Sequence, residues 1–99
     1  MNYKTHRITH VAGAGANNII ATGKAVLHRI LIGADVASGD IEVSDHATDG
    51  DGNVKIQHTG STLMTANGGC IEVGALFENG ITADLTNQTK VTFIWEPTA

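Results

Sequence analysis

The stretch Lys90-Val91-Thr92-Phe93-Ile94-Trp95-Glu96 decides the fold. Val91, Phe93 and Trp95 share one parity. Lys90, Thr92 and Glu96 share the other, together with the apolar Ile94. A period of two is the signature of a strand with one buried face and one wet face. The same alternation returns at Asp40-Ile41-Glu42-Val43-Ser44, at Asn53-Val54-Lys55-Ile56-Gln57 and at Ile71-Glu72-Val73. No segment carries a convincing helical period.

Outward from that strand, turn chemistry separates every alternating run. Ala25-Val26-Leu27-His28-Arg29-Ile30-Leu31-Ile32 is the most apolar run and reads as a central strand. Cys70 to Phe77 puts Ile71, Val73, Ala75 and Phe77 on one face, after the turn signal Asn67-Gly68-Gly69. Glu78-Asn79-Gly80 turns the chain into Ile81, Ala83 and Leu85, which alternate with Thr82 and Asp84. Ser61 to Thr65 reads as a further short strand. These runs give seven strands, with an eighth at the N-terminus. The expectation is an all-β, antiparallel β-sandwich of jelly-roll type.

Within it, residues 1–18 are expected to form an N-terminal arm or edge strand followed by a loop of small residues (Ala12-Gly13-Ala14-Gly15-Ala16-Asn17-Asn18). Residues 19–99 are expected to form a single β-sandwich domain.

The 99 residues suit one domain, and 12 glycines serve the many turns. Six Lys and Arg against ten Asp and Glu give a formal charge of −4. That sign opposes binding to phosphate backbones and to anionic membranes, so neither nucleic acid nor membrane is an expected partner. Tyr3, Phe77, Phe93 and Trp95 are too scattered for a base-stacking platform, and the last three are expected in the core. Cys70 is the only cysteine, so an internal disulfide is impossible. Met1 is followed by polar residues, and the expectation is synthesis in a cytoplasm without a signal peptide.

Few residues suggest chemistry. Asp45, Asp49, Asp51 and Asn53 are weak candidates for a metal site, because calcium takes oxygen ligands from flexible acidic loops. An EF-hand frame starting at Asp49 would need glycine and glutamate where Val54 and Gly60 stand, so an acidic turn is expected instead. Of five histidines, His6 and His10 share a strand face but lie about 13 Å apart at the usual rise. They cannot share an ion without a bend, and surface histidines are expected. His28, His58 and Glu72 are the set a cupin-type metal enzyme would need. Cys70 lacks a recognisable base beside it, and a small buried apolar role is expected. No catalytic residue and no cofactor is assigned.

Residues 24–96 resemble the small β-sandwich structural proteins of tailed bacteriophage virions. The resemblance rests on Leu27-His28-Arg29-Ile30-Leu31-Ile32, on Gly39-Asp40-Ile41-Glu42-Val43-Ser44-Asp45, on the Phe77-Glu78-Asn79-Gly80-Ile81 turn and on Val91-Thr92-Phe93-Ile94-Trp95-Glu96. The chain departs from the pattern at Ser44 and in the Asp/Gly-rich loop that follows. The resemblance implies a non-enzymatic capsid decoration or cement protein on the virion surface. It implies a homotrimer whose partner is the lattice of the major capsid protein, with Tyr3, Lys4, Arg7 and Ile8 of the arm as coat-contact candidates. The alternative is a head-fibre, tail or lectin-like module that recognises a host glycan or receptor.

Overall fold

The computed structural model describes residues 6–33, 38–59 and 69–98, and among them there are strands and turns but no helix. The strands are β1 (Arg7–Val11), β2 (Gly15–Ala21), β3 (Ala25–Ile32), β4 (Asp40–Ser44), β5 (Val54–Thr59), β6 (Cys70–Phe77), β7 (Ile81–Thr86) and β8 (Val91–Pro97). The expected strand at Ser61–Thr65 lies outside the described residues, as do Tyr3 and Lys4.

Among the described residues, eight strands make two four-stranded antiparallel sheets, ordered β1-β8-β3-β6 and β2-β7-β4-β5. The pairings share one logic. β4 pairs β5, β3 pairs β6, β2 pairs β7 and β1 pairs β8, so the chain is one long hairpin doubled back between β4 and β5. Rolling that hairpin adds the β3–β8 and β4–β7 pairs and closes the sandwich. This is a jelly roll, as expected. β3 is central in its sheet, between β8 and β6.

The inner faces carry the residues that alternation selects. Leu27, Ile30, Ile41, Val43, Phe77, Ile81, Ala83, Val91 and Phe93 are fully buried. Each large side chain among them contributes about 1.5–3 kcal/mol by leaving water. Trp95 is half-buried against this core, and its Nε1–H donates to Thr9 Oγ1 at 2.9 Å.

One correction concerns the N-terminal third. The small-residue loop expected over 12–18 is in part a strand, because β2 begins at Gly15 and pairs with β7. Of the arm and the edge strand, the structure has the edge strand, with β1 paired over Arg7–Val11 with β8. At the other end, β8 runs to Pro97, opposite Ala25, and the Thr98 amide donates to Lys24 O.

The strands are not uniform. Between Leu27 and Arg29, β3 carries one residue more than β8 does. Over the same span β6 carries one more than β3, next to Gly74 at φ 61°. These adjoining β-bulges twist the sheet locally and re-aim the side chain at Arg29.

Candidate functional site

The two wet faces of the sandwich differ. On the outer face of the β1-β8-β3-β6 sheet, Ile8 lies opposite Ile94, Val26 opposite Leu76, and Leu31 opposite Cys70. Ile8 is 73% exposed and Leu76 46%. Ile94, Val26, Leu31 and Cys70 are half-buried and take the parity opposite to the core residues of their strands. Polar groups frame them. His10 Nδ1 meets Thr92 Oγ1 at 2.8 Å, and Arg29 pairs with Glu72 at 3.7 Å across exposed surface.

One cluster on this face joins three strands. His6 directly precedes Arg7, which pairs with Trp95, so His6 falls beside Glu96. Glu96 pairs with Val26 of β3, and His28, which follows the buried Leu27, points outward next to it. His28 Nε2 lies 3.0 Å from Glu96 Oε1, and the His6 and His28 ring centroids are 4.4 Å apart at 35°. One donor atom from each of His6, His28 and Glu96 falls within 4.8 Å of the others. The spacing of Leu27 and Ile30, three apart rather than two, was the available signal of the bulge that sets Arg29 beside His28 on this face.

The outer face of the β2-β7-β4-β5 sheet carries a row of polar and charged groups, with Ile19 exposed opposite Thr82 and Val54 exposed opposite Ser44. Asp84, Glu42 and Gln57 form a row across β7, β4 and β5. Gln57 Nε2 donates to Glu42 Oε1 at 2.9 Å. Asp51 comes from the β4–β5 connection to complete a cluster of three carboxylates, Glu42, Asp51 and Asp84. The Glu42 carboxyl is held above its ordinary value, first by the hydrogen bond with Asp51, then by partial burial and neighbouring negative charge. Asp84 is also raised, chiefly by burial and by Asp51, against the Asn17 amide that donates to its Oδ1 at 2.6 Å. Like charges set directly opposite on a sheet destabilise it.

The acidic connection itself is a built lid over this face. Ser44 Oγ donates to Gly50 O, Thr82 Oγ1 donates to His46 O at 2.7 Å, and the Gly50 amide donates to Asn17 Oδ1 at 2.8 Å. Gly50 is required where it stands, because a Cβ there would meet the Asp84 carboxylate. His46 Nδ1 accepts from the amides of Thr48 and Asp49 at 3.1 and 3.0 Å, so that nitrogen carries no proton in this arrangement.

Of the four sequence candidates for a metal, the fold brings Asp51 alone into the carboxylate cluster. Asp45 is 5% exposed and accepts the Glu78 and Asn79 amides at 3.0 and 2.7 Å, so it staples the β6–β7 turn. Asp49 accepts the Asp51 amide, and Asn53 O accepts the Asp45 amide. Glu42 and Asp84 were missed as members because they come from strands far apart in sequence. The cupin-type set does not assemble: His28 and Glu72 lie on the outer face of one sheet, and His58 belongs to β5 of the other. The Cys70 thiol is pushed up by burial, then by its contact with Glu72 at 3.5 Å, which opposes the thiolate a nucleophile needs. Of the coat-contact candidates, Arg7 and Ile8 start β1; both are exposed, and Ile8 projects from the apolar outer face.

Comparison with family models, with curated proteins and with solved structures finds no match to this chain.

Proposed function

We propose that this chain is a non-enzymatic structural protein of a virion, a decoration or cement module that docks on the coat lattice through the outer face of its β1-β8-β3-β6 sheet. The observation that carries this reading is the asymmetry of the two wet faces. One carries a row of cross-strand apolar pairs, Ile8 with Ile94, Val26 with Leu76 and Leu31 with Cys70, while the other carries the Asp84, Glu42 and Gln57 row and a polar lid, with Ile19 and Val54 as separate exposed apolar residues. Exposed apolar residues gathered on one face and rimmed by polar ones mark a protein interaction surface. The sequence resemblance to phage virion proteins supplies the partner, the major capsid protein. A homotrimer would place three such faces on the lattice together, so that weak single contacts hold strongly as a set.

The jelly roll supports this role mechanically. Its strands are tied by non-local pairings from both ends of the chain, β1 with β8 foremost. A load applied at the docked face is therefore spread across both termini.

The experiment is co-sedimentation with undecorated particles of the phage that encodes the chain. Wild type should pellet with them, and an Ile8→Asp, Leu76→Asp double variant should remain in the supernatant while keeping its circular dichroism. Equal binding by the double variant would remove this face from the reading. No binding by wild type would favour receptor or glycan recognition instead. Sedimentation equilibrium of the free protein tests the trimer.

A further inference from the structure

We infer that His6, His28 and Glu96 form a binding site for a single divalent transition-metal ion of the zinc class. Two strands and the residue leading into a third supply the ligands. His6 directly precedes edge strand β1, Glu96 comes from β8 and His28 from β3 at its bulge. Alternation from the buried Leu27 sets His28 on the outer face, and the bulge adds Arg29 beside it, where each meets a carboxylate.

The donor set selects the metal. Two imidazole nitrogens and one carboxylate oxygen suit zinc and its borderline neighbours, whereas calcium and magnesium take oxygen alone. Donor atoms already lie within 4.8 Å of one another. Tetrahedral zinc at about 2.0–2.1 Å from its ligands needs them about 3.3 Å apart. His28 Nε2 and Glu96 Oε1 already stand 3.0 Å apart. The His28–Glu96 pair is partly shielded, at 21% and 29% side-chain exposure, which favours a bound ion over one lost to water.

Three protein ligands leave a fourth position open towards the outer face, for water or for a donor from a docked partner. The ion would also fasten the first residues of β1 to β8 and β3. Edge strands are the weak margin of a sheet, so a clamp there protects against fraying and edge-to-edge pairing. The all-oxygen cluster of Glu42, Asp51 and Asp84 offers no nitrogen and serves as the internal control. This inference is independent of coat docking.

The test is isothermal titration of metal-free full-length protein with zinc chloride, with Co2+ absorption as a second readout of coordination. One ion per chain is expected, with a rise in melting temperature and the visible bands of a low-coordinate Co2+ site. Even outer-shell partners of metal ligands are worth roughly 10–100-fold in affinity. His6→Ala and the near-isosteric Glu96→Gln should therefore each weaken binding by about a hundredfold or more. His10→Ala and Glu42→Gln should leave it unchanged. Absence of stoichiometric binding to wild type overturns the site, and so does binding that survives both His6→Ala and Glu96→Gln. Loss of binding in Glu42→Gln with retention in His6→Ala would place the ion on the acidic cluster and contradict the assignment.

Discussion

The two outer faces of this sandwich are built on the same four-strand frame and are used in opposite ways. On one, apolar side chains pair across strands in the open, and the single carboxylate of its cluster lies against imidazoles. On the other, Glu42 and Asp84 stand directly opposite each other, and the chain spends a glycine-rich connection to cover them. The face with cross-strand apolar pairs is the one proposed above for contact. The lesson is that in this jelly roll the candidate sites lie on the wet faces, because core side chains fill the inner ones.

The largest effects should come from the inner faces and calibrate the rest. Phe93→Ala is expected to cost about 3–5 kcal/mol, seen as loss of the cooperative urea transition or as insolubility. Ile94→Ala, one residue along the same strand but outward, should cost less than about 1 kcal/mol. Equal costs in chemical denaturation would break the assignment of Ile94 to a surface.

Next comes the staple beneath the acidic lid. Asp45→Ala leaves two turn amides without their carboxylate, and hydrogen bonds to charged groups are worth about 1.5–3 kcal/mol each. A loss of about 2–4 kcal/mol in the denaturation midpoint analysis is expected. A near-neutral result would mean that water replaces Asp45 at the β6–β7 turn.

The acidic row should give a smaller effect of opposite sign. Glu42→Gln removes one of two facing charges and should stabilise the protein by about 0.2–1 kcal/mol near neutral pH. The pH dependence follows from the raised Glu42 and Asp84 carboxyls. In the folded state they bind protons at pH values where the unfolded chain has released them. Stability from this row is thus fully present below the ordinary carboxylate values of 4.5 and 3.8, and it is lost as pH rises through the raised folded values. Thermal melts should show that fall, and Glu42→Gln should flatten it.

Much of the fold was legible in the sequence because alternation marks β4, β6, β7 and β8, and because β3 is the most apolar run. β2 was not. Its register shifts at two places, Asn17 adopts φ 55°, and Ile19 points out while Ile20 is buried, so no period of two survives. The clusters were less legible still. His6 and Glu96 meet only because β1 pairs with β8, and Glu42 meets Asp84 only because β4 pairs with β7. Spacing along the chain ranked Asp45, Asp49, Asp51 and Asn53 together, but the turn amides claim Asp45, and the carboxylates that do assemble with Asp51 come from strands.

The proposed docking face is tested most directly by hydroxyl-radical footprinting of the protein free and bound to undecorated particles. Ile8 and Leu76 should lose most of their labelling on binding, while Ile19, on the outer face of the other sheet, should label as in the free protein. Protection of Ile19 with Ile8 and Leu76 still labelled would put the lattice on the opposite side of the sandwich and contradict the assignment of the working face.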